Sequence, residues 1–127
     1  MNTAFLILSG IRAQKASDVN FTRVLRNILP WQQVKDIEFY NINKSKLAYC
    51  SRSDCSKETF GSSDAISIFW NRRLLVKQGS LLLPRIEKSD DELEIRVEVH
   101  LDVHNPWPAR VYTFKILVVN GSQGNYS

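Results

Sequence analysis

Between residues 93 and 103 every odd position is apolar (Leu93, Ile95, Val97, Val99, Leu101, Val103) and every even one is polar (Glu94, Arg96, Glu98, His100, Asp102). Successive side chains of a strand point to opposite faces, so this segment predicts a strand with one buried and one wetted face. Asn105-Pro106-Trp107-Pro108 then marks a turn, because proline cannot donate to a ladder. Residues 111–119 are again β-rich, with Tyr112, Phe114, Ile116 and Val118 expected inward and Lys115 outward. Residues 34–42 predict a strand with Ile37 and Phe39 inside and Glu38 and Tyr40 outside. Residues 46–51 are expected to return from it as a hairpin across a polar turn at 41–45. Residues 51–64 read as a loop and 66–70 as a short apolar strand. Residues 81–86 read as a strand that Pro84 places at an edge or ends early. Residues 21–29 fit either a strand or a helix. At the start, Ala4 to Leu8 reads as a first strand, with a signal peptide as the alternative; its apolar run is short and no basic residue precedes it. Many short strands with no long helix predict an all-β antiparallel sandwich.

Composition narrows the function more than the fold. The chain has 127 residues, enough for one domain, with 43% hydrophobic and 24% charged positions, the balance of a globular protein. The net charge of +4 comes from both signs interleaved along the chain, which does not predict nucleic-acid binding. Arg72, Arg73 and nearby Lys77 are read as a solvated turn. No apolar run is long enough to span a bilayer, and no membrane contact is expected of this segment. The domain is placed at residues 1–119, followed by a polar tail or linker at 120–127.

Four Asn-X-Ser/Thr acceptors start at Asn20, Asn43, Asn120 and Asn125. Nine asparagines and the Ser/Thr content would produce about one by chance, so the excess points to the secretory pathway. Cys50 and Cys55 enclose four residues; in an oxidising compartment they would close a local disulfide, and otherwise they are free thiols. Two histidines, His100 and His104, lie four apart, a spacing that gathers ligands on a helix and not on a strand. No metal site, cofactor, phosphate loop or catalytic triad is expected, and no enzymatic activity.

The stretch from Gly79 to Glu92, with Leu81-Leu82-Leu83 and the acidic turn at Glu87-Lys88-Ser89-Asp90-Asp91, resembles an immunoglobulin-domain signature. The Tyr-x-Cys that usually follows is replaced by Ile95 and Val97. Asp36-Ile37-Glu38-Phe39-Tyr40 resembles the third strand of the domain, with Phe39 where a Trp usually sits. Lys46-Leu47-Ala48-Tyr49 resembles the returning strand, and Ser17-Asp18-Val19-Asn20-Phe21 the turn into the second. A branch of the immunoglobulin superfamily that lacks the inter-sheet disulfide in its variable-type first domain is similar to this pattern: lymphocyte adhesion receptors and the signalling lymphocyte activation molecule (SLAM) family. The resemblance implies an extracellular recognition or adhesion domain that binds another immunoglobulin-family receptor, or a second copy of itself. It also implies that the front sheet carries the interface, at Glu38, Tyr40, Glu94, Arg96, Glu98, His100, Thr113 and Lys115. A secreted or pathogen-encoded decoy of such receptors is the alternative.

Overall fold

A computed structural model describes residues 6–58, 64–102 and 110–119, with the side chains of 6–9 left aside. Two sheets pack face to face. The larger has six strands in the order β1 (Leu6–Gln14), β9 (Arg110–Val119), β8 (Glu94–Leu101), β3 (Val34–Tyr40), β4 (Lys46–Ser51) and β5 (Cys55–Lys57). The smaller has β2 (Val19–Asn20), β7 (Ser80–Leu83) and β6 (Leu75–Lys77). Every pairing is antiparallel except one: β1 runs parallel to β9, Leu6 opposite Val111 through Gln14 opposite Val119.

The alternation holds from Glu94 to His100: Ile95, Val97 and Val99 are fully buried and the polar positions between them half-exposed, while Leu93 and Leu101 are only partly buried and Val103 lies outside the described residues. Phe39 sits opposite Val97 and Ile37 opposite Val99, so the inward set continues across β3. Tyr112, Phe114 and Ile116 extend it across β9, while Val118 is only partly covered. Leu81 and Leu83 of β7 close the core from the other sheet. Pro84 ends β7 early, and β7 is the central strand of its sheet, not an edge.

Two helices replace strand density. Residues 21–29, open between strand and helix, form α1 (Phe21–Ile28), whose start is capped where Asn20 Oδ1 accepts the Arg23 N–H at 2.9 Å. Phe21 and Leu25 bury its inner stripe, and the Phe21 ring meets Phe39 at 6.1 Å.

The strand expected at 66–70 is instead part of α2 (Ala65–Arg73). Asp64 caps it by accepting the Ile66 and Ser67 N–H groups. Ser67, Trp70 and Leu74 are buried at helical spacing, and the polar serine disguises that stripe in the sequence. Ser67 is satisfied inside, donating to Asp64 at 2.8 Å and accepting from Asn41 Nδ2 at 2.7 Å. Trp70 therefore enters the core from a helix, while Phe39 keeps the sheet position.

Arg73, read as part of a solvated turn, is also different. Its guanidinium grips the buried Asp90 carboxylate with two 2.8 Å bonds, and Asp90 also accepts the Glu87 N–H at 2.8 Å. Burial pushes the Asp90 carboxyl up, but Arg73 and the Glu87 N–H outweigh it and hold it below the ordinary carboxylate range. Stability from a depressed carboxyl is fully present above the unfolded value of about 3.9 and is lost as pH falls through the folded value. Asp90→Asn is thus expected to cost about 3 kcal/mol at pH 7, with the gap to wild type closing below pH ~4 in urea titrations.

The disulfide lies within one sheet. Cys50 of β4 and Cys55 of β5 are direct register partners, bonded with Cα atoms 4.0 Å apart. The six-residue loop is short, so replacing both by alanine is expected to lower stability by only ~1–3 kcal/mol, read as a shift in thermal midpoint. Among the described residues no helix is long and apolar enough to cross a membrane.

Candidate functional site

The outer face of the six-stranded sheet collects most of the ionisable groups that the strands expose. Register decides who meets whom. On β3 and β8, Asp36 lies opposite His100, Glu38 opposite Glu98 and Tyr40 opposite Arg96. On β8 and β9, Arg96 lies opposite Thr113 and Glu94 opposite Lys115. Directly opposed residues of an antiparallel pair share a face, so Glu38, Tyr40, Glu94, Arg96, Glu98, His100, Thr113 and Lys115 all lie on this one, each half-exposed.

Three further residues on the face escaped the sequence reading. Tyr49 of β4 lies opposite Glu38 and is exposed, and Lys46 lies opposite Tyr40. The third is Asp36 of β3, opposite Ser51 of β4 and His100 of β8. A register shift between Phe39 and Tyr40 breaks the alternation of β4, so that Leu47 and Ala48 are both buried while Lys46 and Tyr49 both face out. The signal for Asp36 was present, since it lies two residues before Glu38 on the same strand.

These side chains form two linked groups. Lys46 Nζ contacts Glu38 Oε2 at 2.6 Å, and Tyr40 donates its hydroxyl to Glu38 Oε1 at 3.1 Å. The Lys46 contact holds the Glu38 carboxyl below its ordinary range against the effect of burial, and Glu38 in turn raises the Lys46 ammonium. Burial and the bond to Glu38 push the Tyr40 hydroxyl up to about 12, so it remains a donor at neutral pH. In the second group His100 Nδ1 meets Asp36 Oδ1 at 2.7 Å, and Tyr49 donates to Asp36 Oδ2 at 3.3 Å. His100 Nε2 faces Glu98 Oε1 at 4.0 Å and so links the two groups. Lys115 reaches Glu92 at 3.9 Å, whereas Arg96 has no ion-pair partner among the described residues.

Of the glycan acceptors, Asn43 is exposed in the β3–β4 turn. Asn20 is half-buried at the helix cap, with Thr22 of the same triplet buried and accepting the Leu81 N–H. Asn120, Asn125 and His104 lie outside the described residues.

The strand order defines the class of domain. A sandwich whose β9-β8-β3 sheet is extended by β4 and β5 is an immunoglobulin-like fold of variable type, here with its one described disulfide inside a sheet and none between the sheets. A solved structure agrees with this fold. The chain is similar to the first immunoglobulin-like domain of human CD48 antigen, at 15% identity and a TM-score of 0.52, covering 95% of this chain and 88% of that one. It is also similar to CD84, described in connection with SLAM family function, at 14% identity and a TM-score of 0.48, covering 88% and 99%. No protein-family model matches the chain, and no curated protein sequence does.

Proposed function

We propose that this domain is a non-catalytic extracellular recognition module that binds another immunoglobulin-family receptor through the outer face of its six-stranded sheet, in immune-cell signalling. The observation that carries the reading is the face itself: charges of both signs held in register across β3, β8 and β9, flanked by an exposed tyrosine, Tyr49. Charged residues around such a surface set partner choice and speed encounter, while tyrosines supply contact area. Arg96, without an ion-pair partner among the described residues, is available to a carboxylate across an interface.

The sandwich fold that the chain shares with the CD48 domain supports the same reading, as do the Cys50–Cys55 disulfide and the acceptor triplets, which fit an oxidising, secretory environment. Asn43, exposed at the edge of the face, is the acceptor placed to bound the interface with a glycan.

The test is a surface-binding screen of the folded domain against a panel of leukocyte immunoglobulin-superfamily ectodomains and against itself. Saturable binding that Arg96→Ala weakens supports the proposal. A folded domain that binds no member of the panel, or whose binding is indifferent to every substitution on this face, overturns it.

A further inference from the structure

The centre of the face contains an arrangement that protein–protein recognition does not require. Glu38 and Glu98 are directly opposed on neighbouring strands, a like-charge pair that Lys46, 2.6 Å from Glu38, offsets from one side only. His100 completes the cluster, and one ligand atom from each of Glu38, Glu98 and His100 lies within 4.8 Å of the others. The ring is oriented by Asp36, which meets Nδ1 at 2.7 Å and leaves Nε2 turned toward Glu98 Oε1 at 4.0 Å. When the neutral ring donates its Nδ1–H to Asp36, Nε2 presents a lone pair toward the Glu98 carboxylate. In that tautomer a cation between Nε2 and the Glu98 carboxylate would satisfy both.

We propose that Glu38, Glu98 and His100 form a binding site for a divalent transition metal of the zinc class, with Asp36 as the outer partner of the histidine. Imidazole nitrogen combined with carboxylate oxygen suits zinc better than calcium or magnesium, which prefer all-oxygen sets. Carboxylate–histidine–metal relays of this kind fix the ring and strengthen the ligand. At metal–ligand distances of ~2.0–2.2 Å a tetrahedral ion holds its ligand atoms about 3.4 Å apart, so atoms now within 4.8 Å of one another close by at most about 1.4 Å through side-chain torsions. Both Glu38 oxygens are already engaged, Oε2 by the Lys46 ammonium at 2.6 Å and Oε1 by the Tyr40 hydroxyl at 3.1 Å, so one of these contacts has to yield to the ion. Three protein ligands leave a fourth position open toward solvent. The site stands independently of the receptor reading, because its test needs no partner.

Zinc chloride alone is titrated calorimetrically into the folded domain. The expected result is one equivalent bound by wild type and by His104→Ala, which removes the sequence's other histidine. Affinity is expected to fall tenfold or more in His100→Ala and in Glu98→Gln, and about tenfold in Asp36→Asn. Lys46→Met, which removes the competing ammonium and leaves only Tyr40 on Glu38, is expected to bind at least as tightly as wild type, and Glu38→Gln tenfold or more weakly. Circular dichroism and thermal midpoints without metal confirm that each variant is folded. No saturable binding below about 1 mM overturns the proposal. So does equal affinity in His100→Ala, or loss of binding in His104→Ala. Equal affinity in Glu38→Gln removes Glu38 from the ligand set and overturns the three-ligand site, as does weaker binding in Lys46→Met.

Discussion

Val97→Asp is expected to abolish folding. Val97 is fully buried on β8, between Phe39 of β3 and Tyr112 of β9, and faces the second sheet. An aspartate there has no cation or donor within its apolar surroundings. Burying an unpaired carboxylate costs several kcal/mol, comparable to the whole stability of a domain of this size. Loss of the cooperative urea transition and of the β-sheet circular dichroism signal is the measurement. The neighbouring positions are the control: Arg96→Ala and Glu98→Ala remove half-exposed side chains and are expected to shift the thermal midpoint by only a few degrees. A soluble, cooperatively folding Val97→Asp protein would show that the inward and outward faces of β8 have been exchanged.

The second large effect is expected on binding. Exchanging the charges of the face with Arg96→Glu and Glu98→Lys should weaken the partner by at least about a hundredfold while leaving the fold intact, since both side chains are half-exposed. Glu98→Lys also removes the like-charge opposition to Glu38, so the fold has no reason to resist it. Surface-binding constants for the double variant, beside its melting curve, decide the matter. Unchanged affinity at an unchanged midpoint would move the interface off this face. Because the same substitution removes one proposed zinc ligand, Arg96→Glu alone, outside the metal cluster, separates the two readings.

Much of this was legible in the sequence because period-two alternation carries its own meaning. Along β8 each residue declares its face, and the acidic turn before it fixed where the strand begins. The helices were harder. In α2 the run Ile66-Ser67-Ile68-Phe69-Trp70 offers apolar residues to any periodicity, and the residue that completes the helical stripe is a serine whose hydroxyl is satisfied only by the distant Asn41 and by Asp64. Register was not legible at all. Nothing local says that Asp36 lies opposite His100, or that a bulge after Phe39 brings Lys46 beside Tyr40. The reading of the histidines therefore weighed only one against the other along a single strand, whereas the partners that matter lie across the ladder.

The parallel pairing of β1 with β9 has a mechanical consequence. The two strands run in the same direction, so the start of one and the end of the other lie at opposite ends of the sheet. A pull on the two chain ends loads the nine-residue ladder between them in shear, with its evenly spaced hydrogen bonds sharing the force instead of opening one by one. Once that ladder yields, the Cys50–Cys55 bond shelters only the short segment between positions five apart. Nearly the whole chain is then free to extend, to roughly 400 Å at 3.3–3.6 Å per residue. Such a domain would resist tension up to a threshold and beyond it release almost its full length.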